Sequence, residues 1–198
     1  QEAGDLVFAL AGNPNVGKST VFNSLTGMNQ HTGNWPGKTV ATAQGRCVWQ
    51  GTGTIFVDLP GTYSLLAHSA EEEAARDFLC FGGADGAVVV CDATCLERNL
   101  NLALQVMELT PRTILCVNLL DEAAKKGIHV DLEALEHSLG VPVAGTSARS
   151  GQGLDELMRQ VRHAAPRGNT FRVFNHQVVE DCLSLLEPAV REAAGNGL

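Results

Sequence analysis

The chain has 198 residues, of which 44% are hydrophobic, and its 14 basic and 22 acidic residues give a formal net charge of −8. This length is enough for one full hydrophobic core and a short appendage. The acidic balance leaves no concentrated basic face, which argues against nucleic acid as a main partner and gives no polybasic patch for anionic lipid. No stretch approaches the roughly 18–20 uninterrupted apolar residues that span a bilayer, so we expect no direct membrane insertion by this chain.

The first predicted elements are a buried strand over residues 6–10 and a helix through 21–25, separated by a glycine-rich loop. Residues 12–19, GNPNVGKS, match the phosphate-binding pattern G-x-x-x-x-G-K-[ST]. Gly12 and Gly17 let the backbone approach an anion, Lys18 adds charge at the outer phosphates, and Ser19 offers a hydroxyl to Mg²⁺. The alternative is a glycine-rich turn that happens to contain lysine. The predicted nucleotide contacts are Asn13, Pro14, Asn15, Val16, Gly17, Lys18, Ser19 and Thr20.

The next informative segment is Asp58-Leu59-Pro60-Gly61, which follows an apolar strand over 54–57. Asp58 at a strand end can hold Mg²⁺ through water, and Gly61 can bring its N–H to a γ-phosphate. D-x-x-G alone is a weak signal, because Asp and Gly are ordinary turn residues. The strand at 54–57 and the preceding residues 47–49 are predicted to form a hairpin, which would supply one antiparallel edge strand.

Two later segments indicate which base is bound. Asn118 and Asp121 follow a strand over 113–117, and Asp121 can accept hydrogen bonds from N1–H and the 2-amino group of guanine, which adenine lacks. Asp121 could equally be a helix N-cap, and both roles are compatible. Backbone N–H groups of Ser147 and Ala148 could support the guanine carbonyl. With the phosphate loop, these segments favour GTP.

The remaining pattern alternates strands and helices, which predicts an α/β fold with a mainly parallel sheet. Helices are expected over about 97–109, 131–139 and 153–164, and a strand over 87–91. A break near 166–169 divides a G domain (1–165) from a helical segment (166–198), whose helix through about 176–194 carries one apolar stripe. That stripe needs a partner, which could be the G domain, further helices, or another copy of the chain. Cys91 and Cys116 are expected to be buried, and Cys95 to be exposed.

The ordered segments GNPNVGKST, DLPG, NLLD and TSA resemble the G domain of translation-factor-type GTPases. NQHTGNWPGKTV (29–40), ARDFL (75–79) and DATCLERNLNLALQ (92–105) resemble more specifically the cytosolic N-terminal G domain of the FeoB ferrous iron transporter family. The resemblance runs from about residue 6 to about 161. It implies a Ras-like P-loop GTPase fold, with a mainly parallel sheet, one antiparallel edge strand and a C-terminal helical segment.

The resemblance also assigns chemistry. It implies slow hydrolysis of GTP to GDP and phosphate, with Mg²⁺ held by Ser19, Thr39 and, through water, Asp58. Asn15 matches the position that ligates K⁺ in potassium-activated GTPases, with a turn-stabilising asparagine as the alternative. The implied catalytic groups are Lys18, Thr39, Gly61 and Asn15. Thr62 stands where Ras-like proteins have the glutamine that orients water, so water positioning would fall to backbone of the 29–40 segment.

The implied partner is the transmembrane iron-permease portion of the same full-length protein, at the cytoplasmic face of the bacterial inner membrane, with self-association also open. Leu119 replaces a residue that is lysine in many GTPases and often methionine in this family, and Lys38 replaces an apolar residue. Two alternatives remain at this point: a non-catalytic nucleotide-dependent switch, and a ribosome- or RNA-associated GTPase.

Overall fold

The computed structural model describes residues 5–27, 30–34, 41–66, 68–110, 112–163 and 177–194. Within them a seven-stranded sheet forms the centre of the fold. The strands in chain order are β1 (Leu6–Gly12), β2 (Gln30–Asn34), β3 (Ala41–Trp49), β4 (Thr52–Asp58), β5 (Gly86–Asp92), β6 (Thr113–Asn118) and β7 (Val143–Gly145). Their spatial order is β2-β3-β4-β1-β5-β6-β7.

The sheet is mainly parallel, as predicted. β1 pairs in parallel with β4 and β5, and the parallel order continues through β6 to β7. β3 is antiparallel to β4, which confirms the predicted hairpin, with Trp49 opposite Thr52. β2 pairs with the outer side of β3 in antiparallel register. The sequence did not indicate a strand there, because residues 30–34 are polar and contain a glycine.

Helices cover both faces of the sheet. Those that pack on it are α1 (Lys18–Thr26), α2 (Ala70–Phe81), α3 (Leu96–Leu109), α4 (Leu120–Lys125), α5 (Leu132–Leu139) and α6 (Leu154–His163). A further helix, α7 (Gln177–Ala194), follows them along the chain. The helices predicted over 97–109, 131–139, 153–164 and 176–194 are confirmed to within one residue, whereas α1 begins three residues before the predicted start at 21. Local capping explains two of the starts: Ser69 accepts the N–H of Glu72 before α2, and Asp131 accepts the N–H of Ala134 before α5.

Two hydrophobic clusters pack on opposite faces of the sheet. Alternation along β1 sends Ala9 and Ala11 into the cluster that contains α3, and Phe8 and Leu10 into the cluster that contains α1 and α6. Cys91 and Cys116 are fully buried and Cys95 is exposed, as expected. Burial raises the pKa of the Cys116 thiol to about 12, although a hydrogen bond with Thr146 opposes that shift.

The C-terminal helix α7 carries exposed apolar side chains on the predicted stripe, including Val178, Leu185 and Val190. Among the residues with a described placement, no helix has both the length and the low charge content needed to cross a membrane. The predicted boundary near residue 166 lies outside the described residues, so the division at 165/166 stays a prediction.

Candidate nucleotide-binding site

The phosphate loop joins β1 to α1 and adopts a conformation that only certain residues can take. Gly17 has φ +80°, and an added Cβ would lie 2.5 Å from the Asn118 Nδ2 atom. A Cβ at Gly12 would lie 2.7 Å from the Val90 carbonyl oxygen. Asn15 also has a positive φ of 67°, a region that Asn tolerates better than most residues. Glycine is therefore required at position 17 by both close approach and backbone conformation, and at position 12 by close approach alone.

Lys18, the cation of the loop, points its ammonium group at the end of β4. Its Nζ contacts the Asp58 Oδ1 atom and donates a hydrogen bond to the Leu59 carbonyl oxygen. The Lys18 residue is only 9% exposed. A bound phosphate would compete with Asp58 for this ammonium group, so the pair couples the phosphate loop to the DLPG segment.

The DLPG segment, residues 58–61, lies against the phosphate loop. The Leu59 N–H donates to the Leu10 carbonyl at 3.0 Å, and the Thr62 N–H donates to the Gly12 carbonyl at 3.2 Å. A Cβ added at Gly61 would lie 3.3 Å from the Pro14 Cα atom, so little room is available for a larger residue. Gly61 is thus next to the loop whose ligand it was predicted to contact.

The loop after β6 is tied to the phosphate loop through Asn118, which is 1% exposed. Its Nδ2 donates to the Val16 carbonyl at 3.1 Å, and its Oδ1 accepts from the Thr146 hydroxyl at 3.0 Å and the Ala148 N–H at 3.1 Å. Asn118 therefore holds three segments together, and its amide retains a second hydrogen that could reach a base. The bridging role of the Thr146 hydroxyl was not predicted from the sequence, since a buried side-chain bridge leaves no local pattern.

The predicted base-reading residues lie around this bridge. Asp121 is exposed in the first turn of α4, and its N–H donates to the Ser147 hydroxyl at 3.1 Å. Leu119, just before α4, has φ +65°, a strained conformation for a non-glycine residue that is frequent at functional sites. The Ser147 N–H already donates to the Gln152 carbonyl at 3.0 Å, while the Ala148 N–H donates to Asn118. A contact from either N–H to a guanine carbonyl would therefore have to be shared with a protein acceptor.

Asn13 carries an uncommon feature. It is 3% exposed, and neither polar atom of its side chain has a hydrogen-bond partner among the described residues. A buried amide without partners costs free energy, and such groups concentrate where a ligand or water completes the structure. The sequence predicted Asn13 as a nucleotide contact but did not indicate this burial.

The structure describes some of the predicted cation ligands but not all of them. Ser19 and Thr20 are exposed in the first turn of α1, and the Ser19 hydroxyl with the Asp58 carboxylate offers the hard oxygen donors that Mg²⁺ prefers. Exposed Asn15 offers an amide oxygen, which suits K⁺, while its positive φ equally fits the turn role. Thr39 lies outside the described residues. Within the described part of the chain, no cluster of three or more His, Cys, Asp or Glu side chains could hold a metal ion.

The sheet order and the three adjoining loops define a domain of the Ras-like P-loop GTPase fold. The chain belongs to the family described as "Ferrous iron transport protein B", whose model matches residues 6–161. It is 42% identical over 165 residues to the Fe(2+) transporter FeoB of Salmonella typhimurium, covering 81% of this chain and 21% of that protein. The chain therefore spans about one-fifth of the length of the curated relatives it matches.

Solved structures agree with this assignment. The crystal structure of the G domain of the T. maritima FeoB iron transporter is 42% identical and has a TM-score of 0.76, covering 80% of this chain and 98% of that one. The cytosolic domain of the same transporter in GDP form I is 38% identical with a TM-score of 0.88, covering 96% of this chain and 75% of that one.

Proposed function

We propose that this chain binds and hydrolyses GTP as the G domain of a larger ferrous iron transporter. The observation that carries the proposal is the convergence of three predicted segments at one edge of the sheet, tied by the bonds from Asn118 to Val16 and from Thr62 to Gly12. Carboxyl ends of parallel strands are where α/β folds bind ligands. The T. maritima cytosolic domain in its GDP form has the same fold.

Phosphate binding would rearrange the Lys18 contacts. Lys18 would exchange Asp58 and the Leu59 carbonyl for phosphate oxygens, which frees the Asp58 carboxylate. Ser19, Asp58 through water, and Thr39 would hold Mg²⁺, which neutralises phosphate charge when bound. The α1 N-terminus adds backbone N–H groups directed at an anion.

Guanine selectivity would rest on Asp121. Its exposed carboxylate is able to accept hydrogen bonds from guanine, and adenine would leave it unpaired. Asn118, Ser147 and Ala148 would support the base from the connected loop.

Turnover would be slow and K⁺-activated. Thr62 is only 5% exposed and its side chain is shorter than glutamine, so backbone of the 29–40 segment would position the attacking water. Asn15 would hold K⁺ near the β- and γ-phosphates, where a cation offsets developing charge.

The role in the whole protein is an extension of this proposal. Nucleotide-dependent changes in residues 29–40 and 58–70 would be passed through the C-terminal helical segment to a transmembrane iron-permease portion, at the cytoplasmic face of the bacterial inner membrane. Exposed apolar side chains on α7 leave self-association open. The family assignment removes the RNA-associated alternative. The non-catalytic switch remains as a second candidate, favoured by the absence of glutamine after Gly61.

Calorimetric titration with GDP, GTP and ATP in Mg²⁺ and K⁺ tests the binding part of this proposal. We expect GDP and GTP to bind and ATP to bind at least 100-fold more weakly, since an unpaired carboxylate opposes adenine. Equal binding of ATP and GTP would contradict it.

A further inference from the structure

Two side chains on one face of α3 hold the segment that follows Gly61. The Arg98 guanidinium lies 4.2 Å from the centre of the Tyr63 ring, a cation–π arrangement. The Gln105 Oε1 atom accepts from the Leu65 N–H at 2.7 Å and from the Ser64 hydroxyl at 3.3 Å. Arg98 and Gln105 are seven positions apart, about two helical turns, so they share a face.

Both groups that contact Gln105 from the segment after Gly61 are hydrogen-bond donors, so Gln105 must supply an acceptor. A backbone N–H and a hydroxyl both donate to one oxygen, so the side chain acts here as an acceptor. Leu65 is 6% exposed, and the Leu66 N–H donates to the Ser64 hydroxyl at 3.1 Å. Residues 64–66 are therefore a locally closed turn that is joined to α3 by hydrogen bonds to the Gln105 Oε1 atom and by the Leu65 side chain, which lies in the hydrophobic cluster that contains α3.

The other end of the same segment is attached to β1. The bonds from Leu59 to Leu10 and from Thr62 to Gly12 hold it there, and Gly61 lies close to Pro14 of the phosphate loop. Gly61 is thus bracketed by the attachments of Leu59 and Thr62 to β1, and the attachment to α3 fixes the part of the segment immediately beyond Thr62. Fixing both sides of a short segment reduces the conformational freedom that binding must remove.

We propose that Gln105, supported by the stacking of Arg98 on Tyr63, is a positioning residue that holds the Gly61 N–H ready for the γ-phosphate. This inference rests on the proposed function. It assigns Gln105, which lies outside the nucleotide-binding loops, a part in the binding and hydrolysis of GTP. Because GDP has no γ-phosphate, the contact strengthens binding and turnover of GTP and leaves GDP binding unchanged.

The test compares Gln105→Leu with Gln105→Glu. Leu removes the acceptor at similar size, whereas Glu keeps acceptor oxygens. We expect Gln105→Leu to lower both kcat/KM for GTP and the affinity for a non-hydrolysable GTP analogue roughly 3- to 10-fold, because the variant loses about one or two net hydrogen bonds. The affinity for GDP should not change. Gln105→Glu should restore both values to within about twofold. Equal losses for GDP and the GTP analogue, or no change in Gln105→Leu, would overturn the proposal.

A second measurement separates this proposal from the proposed function. Hydrogen exchange of the Leu65 amide in the nucleotide-free protein should be faster in Gln105→Leu and near the original rate in Gln105→Glu. If the unmodified chain fails to bind GTP while this exchange pattern holds, the attachment to α3 is real and the GTPase assignment is wrong. If GTP is bound and hydrolysed but Leu65 exchange is the same in all three proteins, the positioning role of Gln105 is wrong.

Discussion

The Asn118 side-chain amide donates to the Val16 carbonyl oxygen at 3.1 Å and joins two loops whose residues are 102 positions apart in the sequence. Its oxygen also accepts from Thr146 and Ala148. The phosphate-binding loop and the predicted base-reading loops are therefore connected through one buried amide. A change in that amide should alter both folding stability and nucleotide affinity.

Replacing Asn118 with alanine tests this connection. The variant leaves one carbonyl, one hydroxyl and one N–H without their buried partner, so the free energy of unfolding should fall by about 2–4 kcal/mol. Urea unfolding measures it. Ser138→Ala, which removes an exposed hydroxyl that donates to the Ala134 carbonyl, is the control and should change stability by less than about 0.5 kcal/mol. A stable Asn118→Ala protein would show that the bridge is dispensable.

Gly17→Ala tests the close approach within the phosphate loop. Gly17 and Gly51 have nearly equal φ values of +80° and +78°, but an added Cβ meets Asn118 at 2.5 Å in the first and nothing within 4 Å in the second. Both variants carry backbone strain of order 1–3 kcal/mol. Only Gly17→Ala should also lose nucleotide binding, measured by calorimetry with GDP. Equal GDP affinity in the two variants would mean that the Asn118 contact does not restrict residue 17.

Asp121→Asn tests the base assignment. The amide replaces an acceptor with a donor, so GTP affinity should fall roughly 10- to 100-fold, while xanthosine triphosphate, whose 2-carbonyl can accept that donor, should gain affinity. Competition with a fluorescent nucleotide measures both. Glu122→Gln makes the same charge change one residue along the chain and should leave the order of nucleotide affinities unchanged. Unaltered guanine preference in Asp121→Asn would remove Asp121 from the site.

The sequence predicted the elements of this fold well and the contacts between them poorly. Strand β1, the phosphate loop and the hairpin of β3 and β4 follow from hydrophobic runs, a spaced motif and turn residues, which are all local signals. The bridging role of Thr146, the buried amide of Asn13 and the attachment of Leu65 to Gln105 depend on tertiary packing. Leu65 lies 40 positions from Gln105, and Thr146 lies 28 positions from Asn118, so no local pattern predicts these contacts. Strand β2 was missed because its pairing with β3, rather than its own composition, defines it.

Alkaline pH should destabilise the protein through Cys116. Its pKa is raised from 9.0 to about 12, so its stabilising contribution is complete below pH 9 and is lost as pH rises toward 12. The loss should approach about 1.4 kcal/mol per pH unit once the unfolded thiol is ionised. Urea unfolding from pH 8 to pH 10.5 measures it in the original chain and in Cys116→Val, where this part of the slope should disappear. Cys182→Ala, at an exposed position, is the control. An identical slope in all three proteins would contradict the prediction.

Phosphate release from GTP and ATP, measured with Mg²⁺ in matched K⁺ and Na⁺ buffers, tests the proposed function most directly. The predicted result is GTP-selective release that rises in K⁺, with the K⁺ response lost in Asn15→Ala. Gln50→Ala is the matched control, because Gln50 is an exposed amide with a positive φ of 49° outside the site. It should keep the K⁺ response. Tight GTP binding without release in either buffer would contradict the GTPase assignment and favour the non-catalytic switch.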